Sequence, residues 1–194
     1  MKDLRKQYIK NLFKVGWRAF SEDGFFLNGF QDEGEFKRWY ENGKLYERIF
    51  FKNGKLNGEY KEWHENGKLY ERHFYKDGEL NGEYERWHSN GQLDERSFYK
   101  NGKLDGEYKE WNSKGQLAVY CFYRNGKLNG EYKKWNNNGQ LHVDTFYKDG
   151  KEEDEHKRWY ENGQLYNYVF FKNGKEAAGG LGKHCRDKFK RFIK

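Results

Sequence analysis

Proline is missing from the entire chain, so no residue lacks the backbone N–H that a β-ladder requires. Cysteine occurs only twice, as Cys121 and Cys185, with no CxxC spacing. That excludes a fold stapled by disulfides and leads us to expect a reduced, cytosolic setting. The longest uncharged, largely apolar run, Leu117 to Tyr123, is too short to span a bilayer, and the first twenty residues hold no apolar signal-peptide core. Aliphatic residues are scarce and the mean hydropathy is −1.36, so a core of the usual Leu, Ile and Val is not available. What the chain has instead is 20% aromatic and 36% charged residues. Any core must be thin and built from Trp, Tyr and Phe.

The net charge of +7 sits at the ends: residues 1–14 carry +4 and residues 183–194 carry +5, leaving −2 for everything between. Nucleic-acid binding needs basic groups interleaved with aromatics along the surface. A near-neutral middle argues against it.

Internal repetition organises the chain. From Gly34 it reads GEFKRWYENGKLYERIFFKNGKLN, and close copies follow from Gly58, Gly82 and Gly106, with two looser ones from Gly130 and Asp154 ending near Ala177. The period is 24 residues, unbroken by insertion or deletion. Each copy holds two turn dipeptides, for example Asn42-Gly43 and Asn53-Gly54; of twelve, only Lys114-Gly115 is neither Asn-Gly nor Asp-Gly. Such pairs tolerate positive φ and close tight hairpins. The fold class expected is all-β: an elongated, open antiparallel β-sheet of tandem hairpins, each touching mainly its neighbours.

Three positions are apolar in every copy: Trp39, Trp63, Trp87, Trp111, Trp135 and Trp159; Leu45, Leu69, Leu93, Leu117, Leu141 and Leu165; and Phe50, Phe74, Phe98, Phe122, Phe146 and Phe170. Stacked in register they form ladders that supply most of the apolar burial. The glycine opening each first strand is expected to let an aromatic ring lie over the backbone. Asp154 and His156, in place of that glycine and of the tyrosine, mark a degenerate last copy. Tyr60 and Trp63 are three residues apart, so either the strand is bulged or both faces carry aromatics.

The array occupies residues 34–177. Residues 1–33 read as an N-terminal cap, with a helix over 3–14 and a shortened repeat in which Phe20, Gly24 and Phe26 copy the Trp, Gly and Leu spacing. Residues 178–194 read as a basic C-terminal cap or tail with a short helix. Caps would cover exposed sheet edges.

No catalytic set emerges. Glu59, Glu83, Glu107 and Glu131 recur at one position beside Lys or Arg, as on a solvated face of cross-strand ion pairs. His64 and His88 are two strands apart, too far to share a metal ion. Cys121 has no spacing-linked base, and no glycine-rich nucleotide loop precedes a helix. We therefore expect no enzyme, no metal and no cofactor.

The pattern G-x-Y-x-x-W, N-G-x-L, F-Y-x-N-G-K-L-x-G resembles the MORN-repeat variant, a bacterial relative of the MORN repeat. Many bacterial proteins with this variant look like antitoxin or immunity members of toxin gene pairs. The resemblance implies a cytoplasmic module that binds and neutralises a cognate protein toxin.

Within the second strand the residues after Leu change from copy to copy, as a surface fitted to one partner would. Tyr46, Tyr70, Arg72, His73, Arg96, Tyr120, His142, Tyr166 and Tyr168 are the expected partner-binding residues. The competing function is a peripheral membrane or scaffold protein that uses the array and its tail, with Lys188, Phe189, Lys190, Arg191 and Phe192 as the membrane- or partner-contacting group. A glycan or choline binder is disfavoured by the missing export sequence and the heavy Lys/Glu load.

Overall fold

A computed structural model of the chain describes residues 19–20 and 33–179. They belong to two compact units, one ending at Gly91 and one beginning at Gln92, and every regular element among them is a β-strand. The first unit holds β1 (Ala19–Phe20), β2 (Gly34–Trp39), β3 (Leu45–Lys52), β4 (Lys55–Leu56), β5 (Gly58–Trp63), β6 (Leu69–Lys76) and β7 (Glu79–Trp87). They follow one another in the sheet as β1-β2-β3-β5-β6-β7, with β4 on β3. The second unit holds β8 (Leu93–Lys100), β9 (Lys103–Trp111), β10 (Leu117–Arg124), β11 (Lys127–Trp135), β12 (Leu141–Lys148), β13 (Lys151–Trp159), β14 (Leu165–Lys172) and β15 (Lys175–Gly179), again in chain order. The fold is the expected open antiparallel sheet of hairpins.

The two turn sets differ although their dipeptides match. In the second set both residues have positive φ, as in Asn53 (49°) and Gly54 (70°) or Asn125 (50°) and Gly126 (77°). This is the two-residue hairpin corner whose twist matches the strands. In the first set only the glycine is positive, for example Gly43 at 81°. There the Gly43 N–H donates to Tyr40 O at 2.9 Å and the Tyr40 N–H to Lys44 O at 2.8 Å, a three-residue loop with glycine at the left-handed place. Lys114 is tolerated because its loop asks nothing left-handed of it. Asn112 supplies the missing acceptor, its Oδ1 taking the N–H groups of Lys114 (3.0 Å) and Gln116 (3.1 Å).

Each repeat also carries two irregularities. Between Arg38↔Glu47 and Trp39↔Leu45 the second strand holds one extra residue, Tyr46. Between His73↔Tyr84 and Tyr75↔Leu80 the first strand of the next repeat holds two extra, in the stretch containing Gly82. Glycine is needed in that stretch for space as well as for φ. A Cβ on Gly58 would lie 3.2 Å from Phe50 Cβ, and one on Gly106 would lie 3.1 Å from Phe98 Cβ, so the ladder phenylalanine does lie over the glycine.

Of the two alternatives posed by Tyr60 and Trp63 the second holds: both faces carry aromatics. Strand β5 has no extra residue, so the two point to opposite faces, and the bulge lies in the partner strand, where Glu62↔Glu71 gives way to Trp63↔Leu69. One face carries the tyrosines; the other carries the Phe ladder. Among the described residues the buried apolar ones are few, Ile49 and Cys121, which fits an open sheet whose stability comes from cross-strand pairs of about 0.2–1 kcal/mol each.

At the start, β1 pairs Ala19 with Arg38 and Phe20 with Lys37. Arg48 pairs with Lys61 in the next repeat in the same way. Phe20 therefore stands in a second-strand position, not at the Trp position its spacing suggested. Gly24 and Phe26, the helix expected over 3–14, and the basic tail with Lys188, Phe189, Lys190, Arg191 and Phe192 lie outside the described residues. Among the described residues no helix is long and apolar enough to cross a membrane.

Candidate functional site

On the tyrosine face one row of cross-strand partners alternates buried residues with half-buried rings. In the first unit it runs Phe36↔Ile49 and then Tyr60↔His73↔Tyr84. In the second it runs Ser97↔Tyr108↔Cys121↔Tyr132↔Thr145↔His156↔Val169. His73 lies stacked between Tyr60 (4.3 Å between ring centroids) and Tyr84 (5.4 Å), and it is 4% exposed. Ser97, Cys121 and Thr145 are as buried as His73 or more so. Tyrosines from the ends of the second strands close the row edge-on: Tyr75 on Tyr60, Tyr123 on Tyr108 and Tyr147 on Tyr132.

Buried and half-buried carboxylates accept the tyrosine hydroxyls. Tyr60 Oη donates to Glu47 Oε1 at 2.9 Å and Glu62 Oε2 at 2.8 Å, Tyr84 Oη to Glu71 Oε2 at 2.9 Å, and Tyr108 Oη to Glu110. Glu47, only 3% exposed, is also bound by Arg38 Nε. Burial, then the charges of Glu47 and Glu62, push the Tyr60 hydroxyl far above its ordinary pKa. Burial holds His73 down to about 4 and pushes Cys121 up to about 12, with Glu110 adding to the latter. In the last copy His156 replaces the tyrosine and Glu152 the leucine beside it. Arg158 Nε donates to His156 Nε2 at 2.8 Å, and His156 Nδ1 lies 2.9 Å from Glu152 Oε1.

The opposite face is a lattice of half-buried ions and rings. Lys61 pairs with Glu59 at 2.9 Å, Lys109 with Glu107 at 2.8 Å and Lys133 with Glu131 at 3.0 Å. Arg48 reaches from the neighbouring strand to the same Glu59, so the periodic carboxylates do take part in cross-strand pairs. Through the lattice runs a row one residue wide, at the third position after Leu: Arg48 and Arg72 in the first unit, Arg96, Tyr120, Asp144 and Tyr168 in the second. Arg72 reaches Glu83 (3.1 Å) and Glu85 (2.7 Å) and lies over Phe74. Arg96 lies over Phe98. Lys109 lies over Tyr120 at 5.4 Å, Lys157 lies over Tyr168 at 5.6 Å, and Tyr168 Oη donates to Glu155 Oε1 at 2.7 Å.

The nine residues expected to bind a partner therefore do not share one surface. Arg72, Arg96, Tyr120 and Tyr168 occupy this row on the Phe face. Tyr46, Tyr70, His142 and Tyr166 are the bulged residues beside the three-residue loops. Tyr46 packs against Tyr40 (5.0 Å), Tyr70 against His64 (4.8 Å) and Tyr166 against Tyr160 (4.4 Å), while His142 Nδ1 lies 2.9 Å from Trp159 O. His73 belongs to the buried row and offers a partner nothing, because two tyrosine rings cover both of its faces.

The tyrosine–carboxylate pairs went unnoticed in the sequence. Their signal is the joint presence of Tyr and, thirteen residues upstream, Glu: Glu47 with Tyr60 and Glu71 with Tyr84.

The MORN repeat variant model matches residues 32–53, 56–77, 80–101, 104–125, 128–149 and 155–173. The chain belongs to the MORN repeat variant family. No curated protein matches it beyond that. In the family's terms the six matched MORN-variant copies follow the hairpins of the sheet, and the last match begins just after Asp154, where the buried Tyr and its Leu have become His156 and Glu152. A tandem MORN-variant array supplies a repeat-built binding or scaffold surface, and the Phe face of this one carries a half-buried row whose residues differ from copy to copy.

Proposed function

We propose that the chain is a non-catalytic protein-binding module, cytoplasmic, and in its specific form an antitoxin or immunity protein that neutralises a protein toxin by direct binding. One observation carries the reading. Along the Phe face the ladder residue is Phe in every copy, yet its neighbour two residues earlier passes through Arg, Tyr and Asp without breaking the lattice. A scaffold gains nothing from that change of charge, whereas a partner of one fixed shape would select it. Four strongly displaced titrating groups, Tyr60, His73, Tyr108 and Cys121, support the same view. They are locked in the buried row against neighbouring rings, where acid–base or nucleophilic work would require them to reach a substrate. The toxin-neutralising form rests on the family resemblance.

Co-expression with the product of the neighbouring gene tests it. Growth arrest by that product alone, relieved by this chain and not by its Tyr120→Ala/Tyr168→Ala variant, is the expected result. A neighbour that is harmless by itself, or equally toxic in the presence of this chain, ends the antitoxin reading. Unchanged partner affinity in the double variant ends the assignment to the Phe face.

A further inference from the structure

In three copies the space over the ladder phenylalanine is filled by the chain's own guanidinium. Arg48 lies 5.7 Å over Phe50, between Glu35 (3.7 Å) and Glu59 (2.5 Å) of the flanking strands. Arg72 lies 5.9 Å over Phe74 with Glu83 and Glu85, and Arg96 lies 5.8 Å over Phe98. A ring beneath and carboxylates at the sides suit a planar cation with forked donors.

At the fifth copy, within the second unit, the surroundings persist and the cation does not. Glu131 and Glu155 stand where Glu35 and Glu59 stand, and Phe146 stands where Phe50 does, but the arginine position holds Asp144. Asp154 replaces the strand-opening glycine. Glu131, Asp144, Phe146, Asp154, Glu155 and Phe170 line an open depression of about 520 Å³, with Lys157 at its side. Lys133 balances Glu131 at 3.0 Å, and Lys157 balances Glu155. Asp144 acts on Lys133 only through its charge, and among the described residues neither Asp144 nor Asp154 has an ion-pair partner within bonding distance. Phe146, with no arginine above it, is 37% exposed. Two unpaired carboxylates thus border a bare ring, at a place where sister copies hold a guanidinium.

We propose that this depression receives an arginine side chain of the protein partner, lying on Phe146 as Arg48 lies on Phe50 and bonding Asp144 and Asp154. The inference rests on the protein-binding reading and specifies the partner's chemistry. A guanidinium is favoured over an ammonium because the ring and the split carboxylates reward a flat, forked ion more than a point charge.

Hexa-arginine peptide is the probe, titrated into the full-length ¹⁵N-labelled chain at physiological salt, with hexa-lysine and hexa-citrulline as controls. The expected result is amide shifts centred on Asp144, Phe146 and Asp154, about fivefold tighter binding of arginine than lysine, and no response to citrulline. Asp144→Arg restores the residue of the sister copies, so it keeps the fold. It is expected to weaken hexa-arginine binding by more than about tenfold while leaving the melting temperature unchanged or raised. Equal binding of hexa-lysine, shifts scattered over both faces, or an Asp144→Arg variant that binds as before would each overturn the proposal. So would a roughly tenfold gain in affinity on deleting residues 183–194, since that would make the chain's own basic segment the occupant. Undiminished capture of the native partner by Asp144→Arg would overturn this assignment alone and leave the protein-binding reading standing.

Discussion

Replacing Gly106 by alanine should cost more than the same replacement at Gly139, and the geometry at the two glycines sets the size of the gap. Gly106 adopts φ 137°, and a Cβ there would lie 3.1 Å from Phe98 Cβ and 3.6 Å from its Cγ. The nearest atom is itself a Cβ, fixed to the backbone of β8, so no change of rotamer relieves the contact and the strands must part. Strain in so sparsely populated a backbone region costs about 1–3 kcal/mol, and overpacking adds about 1 kcal/mol or more. Gly139 is the control: at φ 83° with nothing within 4 Å of a new Cβ, Gly139→Ala bears only the left-handed penalty of about 1–2 kcal/mol. For a chain of this length the Gly106→Ala loss of about 2–4 kcal/mol lowers the melting temperature by about 5–15 °C. Far-ultraviolet circular dichroism and tryptophan fluorescence, recorded together, read the shift and show whether the array melts as one. If the two variants melt within about 2 °C of each other, the claim that the phenylalanine ladder demands glycine is wrong.

The buried row sets a pH dependence. His73 has a folded pKa of about 4 against an ordinary value near 6.5, so the unfolded chain takes up its proton first. Stability is then full above about 6.5 and falls as pH drops towards 4, by at most about 3 kcal/mol. His73→Phe should flatten that part of the urea-midpoint profile between pH 7 and 4.5, and an unchanged slope would place the histidine elsewhere. Cys121, buried with its thiol pushed up to about 12, should resist a disulfide reagent at pH 8 in a Cys185→Ala background until denaturant is added; prompt reaction would contradict its place between Tyr108 and Tyr132. Asn125→Ala, at a corner with φ 50°, should cost about 1–2 kcal/mol in a urea titration. Asn138→Ala, which loses only the acceptor for the Gln140 N–H at 3.0 Å and a side-chain bond to Glu161 O at 3.0 Å, should cost about half as much, and the reverse order would refute the distinction between the two turn types.

The hairpin fold was legible because its signals are local and repeated: turn dipeptides a dozen residues apart, and Trp, Leu and Phe at constant places. The faces were less so. Asn42-Gly43 and Asn53-Gly54 look alike, but loop length, not the dipeptide, decides whether the asparagine turns left-handed. The bulge at Tyr46 leaves no mark of its own in the sequence. His73, Ser97, Cys121 and Thr145 vary from copy to copy as exposed residues do, yet all four are buried. What encloses His73, Cys121 and Thr145 is the pair of rings on the neighbouring strands, so their own chemical type carries no sign of burial. Arg72, Arg96, Tyr120 and Tyr168 were singled out by variation alone, and the alternation of the second strand brings that varying position to one row on the Phe face.

Because the two kinds of corner alternate, each unit has margins of unequal tolerance. Along one margin both corner residues must turn left-handed, which confines them to asparagine, aspartate and glycine. Along the other, glycine alone is constrained, and Lys114 already shows a foreign side chain accommodated there. Lengthened or decorated loops would be carried on that second margin, so a new specificity can be added to such an array without disturbing either of its faces.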